Sequence, residues 1–322
     1  MKEFRGRLAV VTGAGSGMGR ELAVQLAADG CHLALCDVSW ENLEETQRLC
    51  GGSDVRVSIH RCDVSDEAQV LAFRDAMLDS HQTDHAHLLF NNAGIGGGGS
   101  FIVDDRAEWE RTFGVCWYGV YYCARAFVPL LVAAEEGHIV NTSSVNGFWA
   151  SLGPGIPHTA YSAAKFAVKG FSEALIADLR VNAPHVKVSV VMPGHIGTSI
   201  ALNTAKVLRG RGAMEMSAEE VAQARTRLIA RGLPLDNVPD DHIRAALHQQ
   251  GVDFRDKAPV SAAQAATIIL DGVRADRWRI LVGEDAAQLD AAVRAAPELA
   301  YEPDFAQKVR EAGLFAGVVA EE

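Results

Sequence analysis

Short apolar runs, rich in valine, isoleucine and leucine and bounded by turn residues, recur along the chain. They predict seven strands, at 8–12, 32–37, 55–59, 87–91, 138–142, 186–192 and 279–282. Between most of them apolar residues return every three or four positions, as in 20–29 and 166–181, which predicts helices with one buried face. Strands that alternate with helices favour right-handed βαβ units. The pattern therefore predicts an α/β fold with a doubly wound parallel sheet covered on both faces.

Three stretches depart from this alternation. The glycine-rich segment 96–100 supplies almost no side chains to pack, and it predicts a mobile loop. Residues 200–258 have helical spacing without a strong strand signal and predict a helical insertion that acts as a substrate lid. The segment 286–322 predicts a helical, acidic C-terminal extension, which could cover the substrate entrance or a partner subunit. No linker rich in proline or serine divides residues 1–322, so we expect a single domain.

Composition excludes several classes of protein. Lysine and arginine total 30 against 41 for aspartate and glutamate, and the formal net charge of −11 weighs against nucleic acid as a partner. No uninterrupted apolar run approaches the roughly 18 residues of a membrane span, and the N-terminus leads directly into the first predicted strand. We therefore expect a cytoplasmic protein with no membrane partner. The six cysteines form no CxxC pair, which favours reduced, buried thiols and predicts no metal site.

A glycine-rich turn, TGAGSGMG, follows the first predicted strand and leads into a helix at about Met18. Glycines let the backbone approach a pyrophosphate, and the helix N-terminus offers unpaired N–H groups. The spacing is GxxxGxG, with Gly13, Gly17 and Gly19, rather than GxGxxG. Alone, this turn predicts a nucleotide site only weakly, since such a turn can also be purely structural.

Polar residues also end the next three predicted strands. Asp37 ends the second, where a carboxylate can accept hydrogen bonds from the ribose hydroxyls of an adenosine. Val38 follows it instead of a basic residue, so a 2′-phosphate would meet uncompensated like charge, which favours NAD over NADP. Asp63–Val64 and Asn91–Gly94 follow the third and fourth strands. All these groups meet at the edge of the sheet where doubly wound folds bind ligands.

Tyr161 and Lys165 are four positions apart at the start of a predicted helix and share one face of it. A free phenol, with a pKa of about 10, is a poor base at neutral pH. A nearby cation favours the phenolate, so this pair can exchange a proton with a substrate oxygen. By itself, the same spacing is also typical of an ordinary amphipathic helix.

Five motifs, in this order, resemble the short-chain dehydrogenase/reductase family. They are TGxxxGxG at 12–19, NNAG at 91–94, Ile139–Ser144, Tyr161 with Lys165, and Pro193–Gly194 followed by Thr198. The resemblance covers about residues 5–200 and resumes at 279–283. It implies a seven-stranded Rossmann-type fold and hydride transfer between a nicotinamide and a carbonyl or alcohol carbon. It also implies a homodimer or homotetramer, with the helices around 105–130 and 160–182 between subunits.

The resemblance assigns roles to individual residues. Ser144 would hydrogen-bond the substrate oxygen, Tyr161 would be the general acid and base, and Lys165 would lower the pKa of the phenol and hold the nicotinamide ribose. Asn91 has an equal structural alternative at the centre of the sheet. The expected cofactor-binding residues are Thr12, Gly13, Gly15, Ser16, Gly17, Met18, Gly19, Asp37, Val38, Asp63, Val64, Asn91, Ala93, Gly94, Tyr161, Lys165, Pro193, Gly194, Ile196 and Thr198.

Two features depart from the family's pattern. Cys116, a further candidate in the catalytic set, stands where the family commonly has an asparagine that holds a water of a proton relay. A thiol is a weak donor and acceptor, so either other groups maintain the relay, or turnover is slow, or the chemistry differs. The loop before Tyr161 is longer than in the family, and its residues 148–160 are expected to place aromatic and apolar side chains near the reacting centre or against a neighbouring subunit. His158 in this loop is interpreted as solvated, with a secondary proton carrier as the alternative.

The sequence thus predicts an NAD-dependent oxidoreductase that acts on a secondary alcohol or ketone with a bulky or apolar body. Two alternatives remain open. One is a nucleotide-binding regulatory or scaffold protein with weak catalysis, which Cys116 would suit. The other is a member of the same family with a different reaction, such as an epimerase or a dehydratase.

Overall fold

The computed structural model describes residues 1–51, 54–152, 156–230 and 233–312, which contain a seven-stranded parallel sheet. Its strands are β1 (Leu8–Thr12), β2 (His32–Asp37), β3 (Val57–Arg61), β4 (Leu88–Asn91), β5 (Gly137–Thr142), β6 (Val186–Pro193) and β9 (Arg279–Val282). They lie in the order β3-β2-β1-β4-β5-β6-β9. All seven predicted strands are confirmed, and only the third is displaced, by two residues. A separate pair, β7 (Ile196–Gly197) with β8 (Val260–Ser261), was not predicted.

Helices connect the strands and cover both faces of the sheet. They are α1 (Gly17–Ala28), α2 (Trp40–Leu49), α3 (Glu67–His81), α4 (Arg106–Phe113), α5 (Gly119–Ala133), α6 (Thr159–Asn182), α7 (Ile200–Arg209), α8 (Ala218–Ala230), α9 (Asp240–Asp256), α10 (Ala262–Arg274), α11 (Glu284–Ala295) and α12 (Pro303–Glu311). A π-helical segment, Gly114–Tyr118, joins α4 to α5.

The central strands alternate between two apolar cores. On β1, Ala9 and Val11 pack in the core beneath α1 and α10, whereas Leu8 and Val10 pack in the core beneath α3, α5 and α6. This alternation follows from the two-residue repeat of a strand. Because both faces are covered, β1 is buried along its whole length, and its sequence is a continuous apolar run.

One continuous helical stretch, Arg106–Ala133, is long and apolar enough to cross a membrane by length and composition, with a mean hydropathy of 1.4 in its most apolar window. Half of that window is buried inside the protein. This long apolar helix was not predicted, because no uninterrupted apolar run within it approaches the length of a membrane span. The core helix of a soluble protein has the same properties, so the stretch alone assigns no membrane.

Residues 200–256 form the helices α7, α8 and α9, beside the carboxyl edge of the sheet. The pairing of Ile196 with Val260 in β7 and β8 holds the two ends of this insertion together. The insertion has a small apolar cluster of its own around Met216, Val221 and Ile243. The insertion also contacts the main body away from this pair, through Asn203 with Ser16, Thr204 with Gly96 and Arg209 with Glu108.

The C-terminal helices cover the segment that follows β5. Trp149 is buried, and its indole N–H donates to the carbonyl of Ala300 at 2.7 Å, while its ring lies 5.9 Å from that of Phe305. Phe148 packs in the same cluster. The expectation that these aromatic residues lie at the reacting centre is therefore wrong, because they anchor the C-terminal helices. Residues 153–155 of that loop and 313–322 of the extension lie outside the described residues.

Candidate active site

The glycine-rich turn after β1 is shaped by close contacts that exclude larger residues. Gly13 and Gly17 have φ of +65° and +54°, a conformation that favours glycine. A Cβ at Gly13 would lie 2.7 Å from the Cα of Ala93, and a Cβ at Gly19 would overlap the carbonyl oxygen of Gly13. Ser16 precedes α1 without a side-chain cap hydrogen bond. The first turn of α1 is therefore available to an anion.

Thr12 and Asn91, at the ends of β1 and β4, form hydrogen bonds that hold neighbouring strands together beside this turn. The Thr12 hydroxyl accepts hydrogen bonds from the N–H groups of Asn92 at 3.0 Å and Ala93 at 3.1 Å, which joins the end of β1 to the segment after β4. The amide of Asn91 is buried and donates to the Asn141 side chain at 2.8 Å. The contacts of Asn91 favour the structural alternative for this residue.

Asp37 lies at the end of β2, beside the glycine-rich turn. Its carboxylate accepts hydrogen bonds from the N–H of Gly15 and the N–H of Ser39, each at 3.0 Å. Burial raises the pKa of Asp37 above its ordinary value, and these two N–H groups act in the opposite direction. The carboxylate faces a cleft that Glu41 and Arg61 also line.

Arg111 is a residue of this cleft that the sequence argument missed. Its guanidinium forms an ion pair of 2.6 Å with Asp63. Although burial acts to raise the pKa of Asp63, the hydrogen bonds from Arg111 and Ser65 outweigh it and lower that pKa. Asp63 is therefore held as a carboxylate at the floor of the cleft, with part of its hydrogen-bonding capacity already used.

The cleft has a volume of about 870 Å³, within the usual range for ligand sites. The predicted cofactor residues that line it are Gly13, Ser16, Gly17, Met18, Asp37, Val38, Asp63, Val64, Ala93, Gly94 and Thr198. Other predicted residues do not line it: Ile196, for example, packs its side chain in the core. An uncapped helix N-terminus, a carboxylate at the end of β2 and an elongated cleft along the sheet edge fit a dinucleotide.

Ser144 and Tyr161 meet at the wall of a second cavity, of about 670 Å³. Ser144 follows β5, and its hydroxyl accepts from the N–H of Asn146 at 3.2 Å. Tyr161 lies in the first turn of α6. Burial raises the pKa of the Tyr161 phenol, the nearby Cys116 adds to this effect, and the Ser144 hydroxyl counteracts only part of it.

Lys165 lies one turn further along α6 and is almost fully buried. Its ammonium donates to the carbonyl of Thr142 at 2.8 Å and lies 5.3 Å from the ring centroid of Tyr161. Burial lowers the pKa of Lys165. Lys165 was expected to lower the pKa of Tyr161, but burial raises that pKa, and the Ser144 hydroxyl rather than Lys165 counteracts part of the effect.

Cys116 lies in the π-helical segment and is fully buried beside Lys165 and Gly94. Its thiol donates to the carbonyl of Ile95 at 3.2 Å. A Cβ at Gly94 would lie 3.6 Å from the Lys165 ammonium and 3.8 Å from the Cys116 sulfur, so the three residues adjoin. The predicted proximity of Cys116 to Lys165 is therefore present.

The second cavity lies beneath the helical insertion. Besides Ser144, Tyr161 and Gly194, its wall includes Leu152, Ile156, His158, Ala201, Leu202, Thr204, Met216, Leu247 and Phe254. Ile200 and Lys206 of α7 line both this cavity and the first cleft. The insertion therefore roofs the place where the two spaces adjoin, as a lid would.

Two further contacts fix this arrangement, and sequence reasoning missed both. Asp285 of α11 is buried and accepts from the N–H of His195 at 2.7 Å, directly beside Gly194. Asn203 of α7 donates to the Ser16 hydroxyl at 3.1 Å, which joins the insertion to the glycine-rich turn. No local signal in the sequence points to partners 90 and 187 positions apart.

Comparison with known proteins decides the family. A model of the family described as short chain dehydrogenase matches residues 7–207. The chain belongs to the short-chain dehydrogenase family. This short-chain dehydrogenase is 36% identical over 294 residues to "Putative oxidoreductase SadH" of Mycobacterium tuberculosis, with 91% of this chain and 92% of that protein covered.

Solved structures of the same family have similar architecture. A short-chain dehydrogenase/reductase from Burkholderia phymatum in complex with NAD is 31% identical, with a TM-score of 0.75 over 94% of this chain and 98% of that one. A metagenomic short-chain oxidoreductase in complex with NADP is 33% identical, with a TM-score of 0.53 over 59% of this chain and 83% of that one. The Rossmann-type fold and the oxidoreductase family are thus established for this short-chain dehydrogenase, and its relatives include binders of both cofactors.

Proposed function

We propose that this short-chain dehydrogenase is an NAD-dependent oxidoreductase that interconverts a secondary alcohol and a ketone with a largely apolar body. The observation that carries the proposal is that Ser144 and Tyr161 line one cavity together, and that this cavity shares Ile200 and Lys206 with the nucleotide cleft. The apolar side chains that the insertion contributes to this cavity suit an apolar substrate.

Three side chains would share the proton chemistry. A bound nicotinamide would supply the hydride acceptor or donor. Ser144 would hydrogen-bond the substrate oxygen, and Tyr161 would give that oxygen a proton in reduction or take one in oxidation. Burial keeps the Tyr161 phenol protonated, the form that reduction needs, but the raised pKa also makes it a weaker proton donor. Lys165, with its ammonium 5.3 Å from the phenol ring, would stabilise the phenolate that oxidation requires.

An assay with NAD and a panel of cyclic and linear secondary alcohols, followed by the absorbance of the reduced cofactor, tests this proposal. We expect turnover that depends on both the alcohol and NAD. Tight binding of NAD without turnover of any alcohol or ketone in either direction would instead favour a nucleotide-binding protein with little catalysis.

The preference for NAD is expected to depend on the charge of Asp37. We expect kcat/KM for NAD to exceed that for NADP by at least roughly tenfold, because the 2′-phosphate would approach a buried carboxylate. Asp37→Asn keeps the size of the side chain and removes its charge, so NADP should gain relative to NAD. Initial rates with each cofactor measure this ratio.

Glu41→Gln provides the matched control. Glu41 is an exposed carboxylate that lines the same cleft but lies outside the glycine-rich turn. We expect Glu41→Gln to change the ratio of kcat/KM for NAD to that for NADP much less than Asp37→Asn does. Equal use of NAD and NADP by the unmodified protein would contradict the proposed preference.

Replacement of Cys116 by asparagine, the residue that the family commonly has at this position, tests whether the proton relay functions with the thiol in place. The thiol is fully buried against Ile95, Gly94 and Lys165, so the larger asparagine must displace neighbours. We expect Cys116→Asn to give no gain in kcat and to lower the free energy of unfolding by about 1–3 kcal/mol. Steady-state rates and thermal unfolding measure the two effects, with the smaller Cys116→Ser as control. A markedly faster Cys116→Asn enzyme would show that the thiol limits proton transfer.

We also propose that the protein forms a homo-oligomer through the surface of α5 and α6. Tyr121 of α5 and Phe166 of α6 are exposed there by 38% and 41%. Exposed aromatic residues of this kind are typical of the centres of protein interfaces.

A further inference from the structure

His158 lies against the proposed acid and base of the reaction. It immediately precedes α6, and its ring lies tilted against that of Tyr161, with centroids 4.7 Å apart and an angle of 33° between the planes. It is half-buried and lines the substrate cavity together with Ser144. His158 thus remains a partly exposed loop residue, but its ring lies against the phenol ring at the wall of the cavity.

The imidazole has unused hydrogen-bonding capacity. Burial lowers the pKa of His158 to about 4, so the ring is neutral at neutral pH and carries one donor and one acceptor nitrogen. It makes no side-chain cap for α6. Neither ring nitrogen of His158 has a hydrogen-bond partner within the described residues 1–51, 54–152, 156–230 and 233–312.

Three other polar side chains of the cavity wall already have partners. Asn146 donates both amide hydrogens, to the carbonyls of Trp149 and Ser151. The Thr204 hydroxyl donates to the Ile200 carbonyl and accepts from Gly96. His195 bonds the carbonyl of Phe254 through Nε2 at 2.7 Å. The imidazole of His158 lies against the Tyr161 ring in the same wall and is therefore placed to bind a polar group of a substrate held at that phenol.

We propose that His158 hydrogen-bonds a second oxygen of the substrate, on a carbon next to the one that exchanges hydride. The preferred substrates are then vicinal diols and α-hydroxy ketones rather than simple alcohols and ketones. This inference rests on the proposed function, since it specifies the substrate of the same site. In such a complex the first oxygen contacts Ser144 and Tyr161, and the second contacts the imidazole beside the phenol ring.

The test compares a matched pair of compounds, cyclohexane-1,2-diol and cyclohexanol, with NAD as cofactor. We expect the unmodified enzyme to have a kcat/KM for the diol at least roughly tenfold above that for cyclohexanol. His158→Phe keeps a flat ring over Tyr161 and removes both nitrogens, so this ratio should fall by about tenfold. His158→Gln keeps a donor and an acceptor and should restore part of the preference.

Two results would overturn the inference. One is an unmodified enzyme that does not distinguish the two compounds. The other is a His158→Phe variant in which both values of kcat/KM fall in the same proportion, because a residue that only supports Tyr161 would affect every substrate alike. If neither compound is turned over, calorimetry with the protein loaded with NADH measures their binding, and equal affinities would equally exclude the role of His158.

Failure of the proposed function has a different signature. Tyr161→Phe would then retain the rate of the unmodified enzyme on both compounds, whatever the ratio between them. Suppose instead that Tyr161→Phe loses its turnover as expected, while His158→Phe keeps the ratio of kcat/KM for the diol to that for cyclohexanol. The proposed function would then stand, and only the hydrogen bond from His158 to a second substrate oxygen would be rejected.

Discussion

Tyr161→Phe is expected to lower kcat by about 10²–10⁴-fold, the usual contribution of a general acid or base. The substitution removes the phenol oxygen and leaves the ring in place between His158 and Lys165. The nucleotide cleft is formed by other residues, so the affinity for NAD should be retained. Initial rates and a fluorescence titration with the cofactor measure the two properties separately.

Tyr118→Phe is the control for this experiment. Tyr118 is 45% exposed at the end of the π-helical segment and does not line either cavity. Removal of the Tyr118 hydroxyl in this variant should leave kcat unchanged. A Tyr161→Phe enzyme with undiminished turnover would show that the proton is exchanged elsewhere, and the proposed chemistry would then be wrong.

Gly19→Ala is expected to disrupt the nucleotide cleft. Its Cβ would overlap the carbonyl oxygen of Gly13 and lie 2.6 Å from the side-chain nitrogen of Asn92, so the turn must move. Neither neighbour can move without loss of stability, because one is the backbone of Gly13 and the other, Asn92, is hydrogen-bonded to the backbone of Thr12. We expect binding of NAD to weaken by at least roughly tenfold and the free energy of unfolding to fall by about 1–3 kcal/mol.

Gly170→Ala separates this steric effect from helix propensity. Gly170 also lies in a helix, α6, but a Cβ there would meet nothing within 4 Å. The same substitution should therefore stabilise the protein by up to about 0.5–1 kcal/mol. Urea unfolding and cofactor titration of both variants provide the comparison. Unchanged cofactor affinity in Gly19→Ala would contradict the assignment of the turn as the pyrophosphate site.

The fold was predictable because its main strands are buried on both faces. Such strands are continuous apolar runs, which pattern analysis detects well. The exception is β3, whose residues are only half-buried or exposed, and there the prediction was displaced by two residues. The pair β7 and β8 was missed because two residues in each strand leave no periodic signal.

The site was predictable where its chemistry is local in sequence. Glycine spacing located the turn at Gly13–Gly19, and the end of β2 located Asp37 beside it. The position of His158 over Tyr161 was not predictable, because a loop residue's burial depends on what covers it. For the same reason the raising of the Tyr161 pKa by burial could not be predicted from its spacing to Lys165.

The helix α7 forms one wall of both the nucleotide cleft and the substrate cavity through Ile200 and Lys206, and Asn203 attaches it to the glycine-rich turn. In the proposed function one helix would therefore contact both the cofactor and the substrate, so a shift of α7 would alter both binding spaces together.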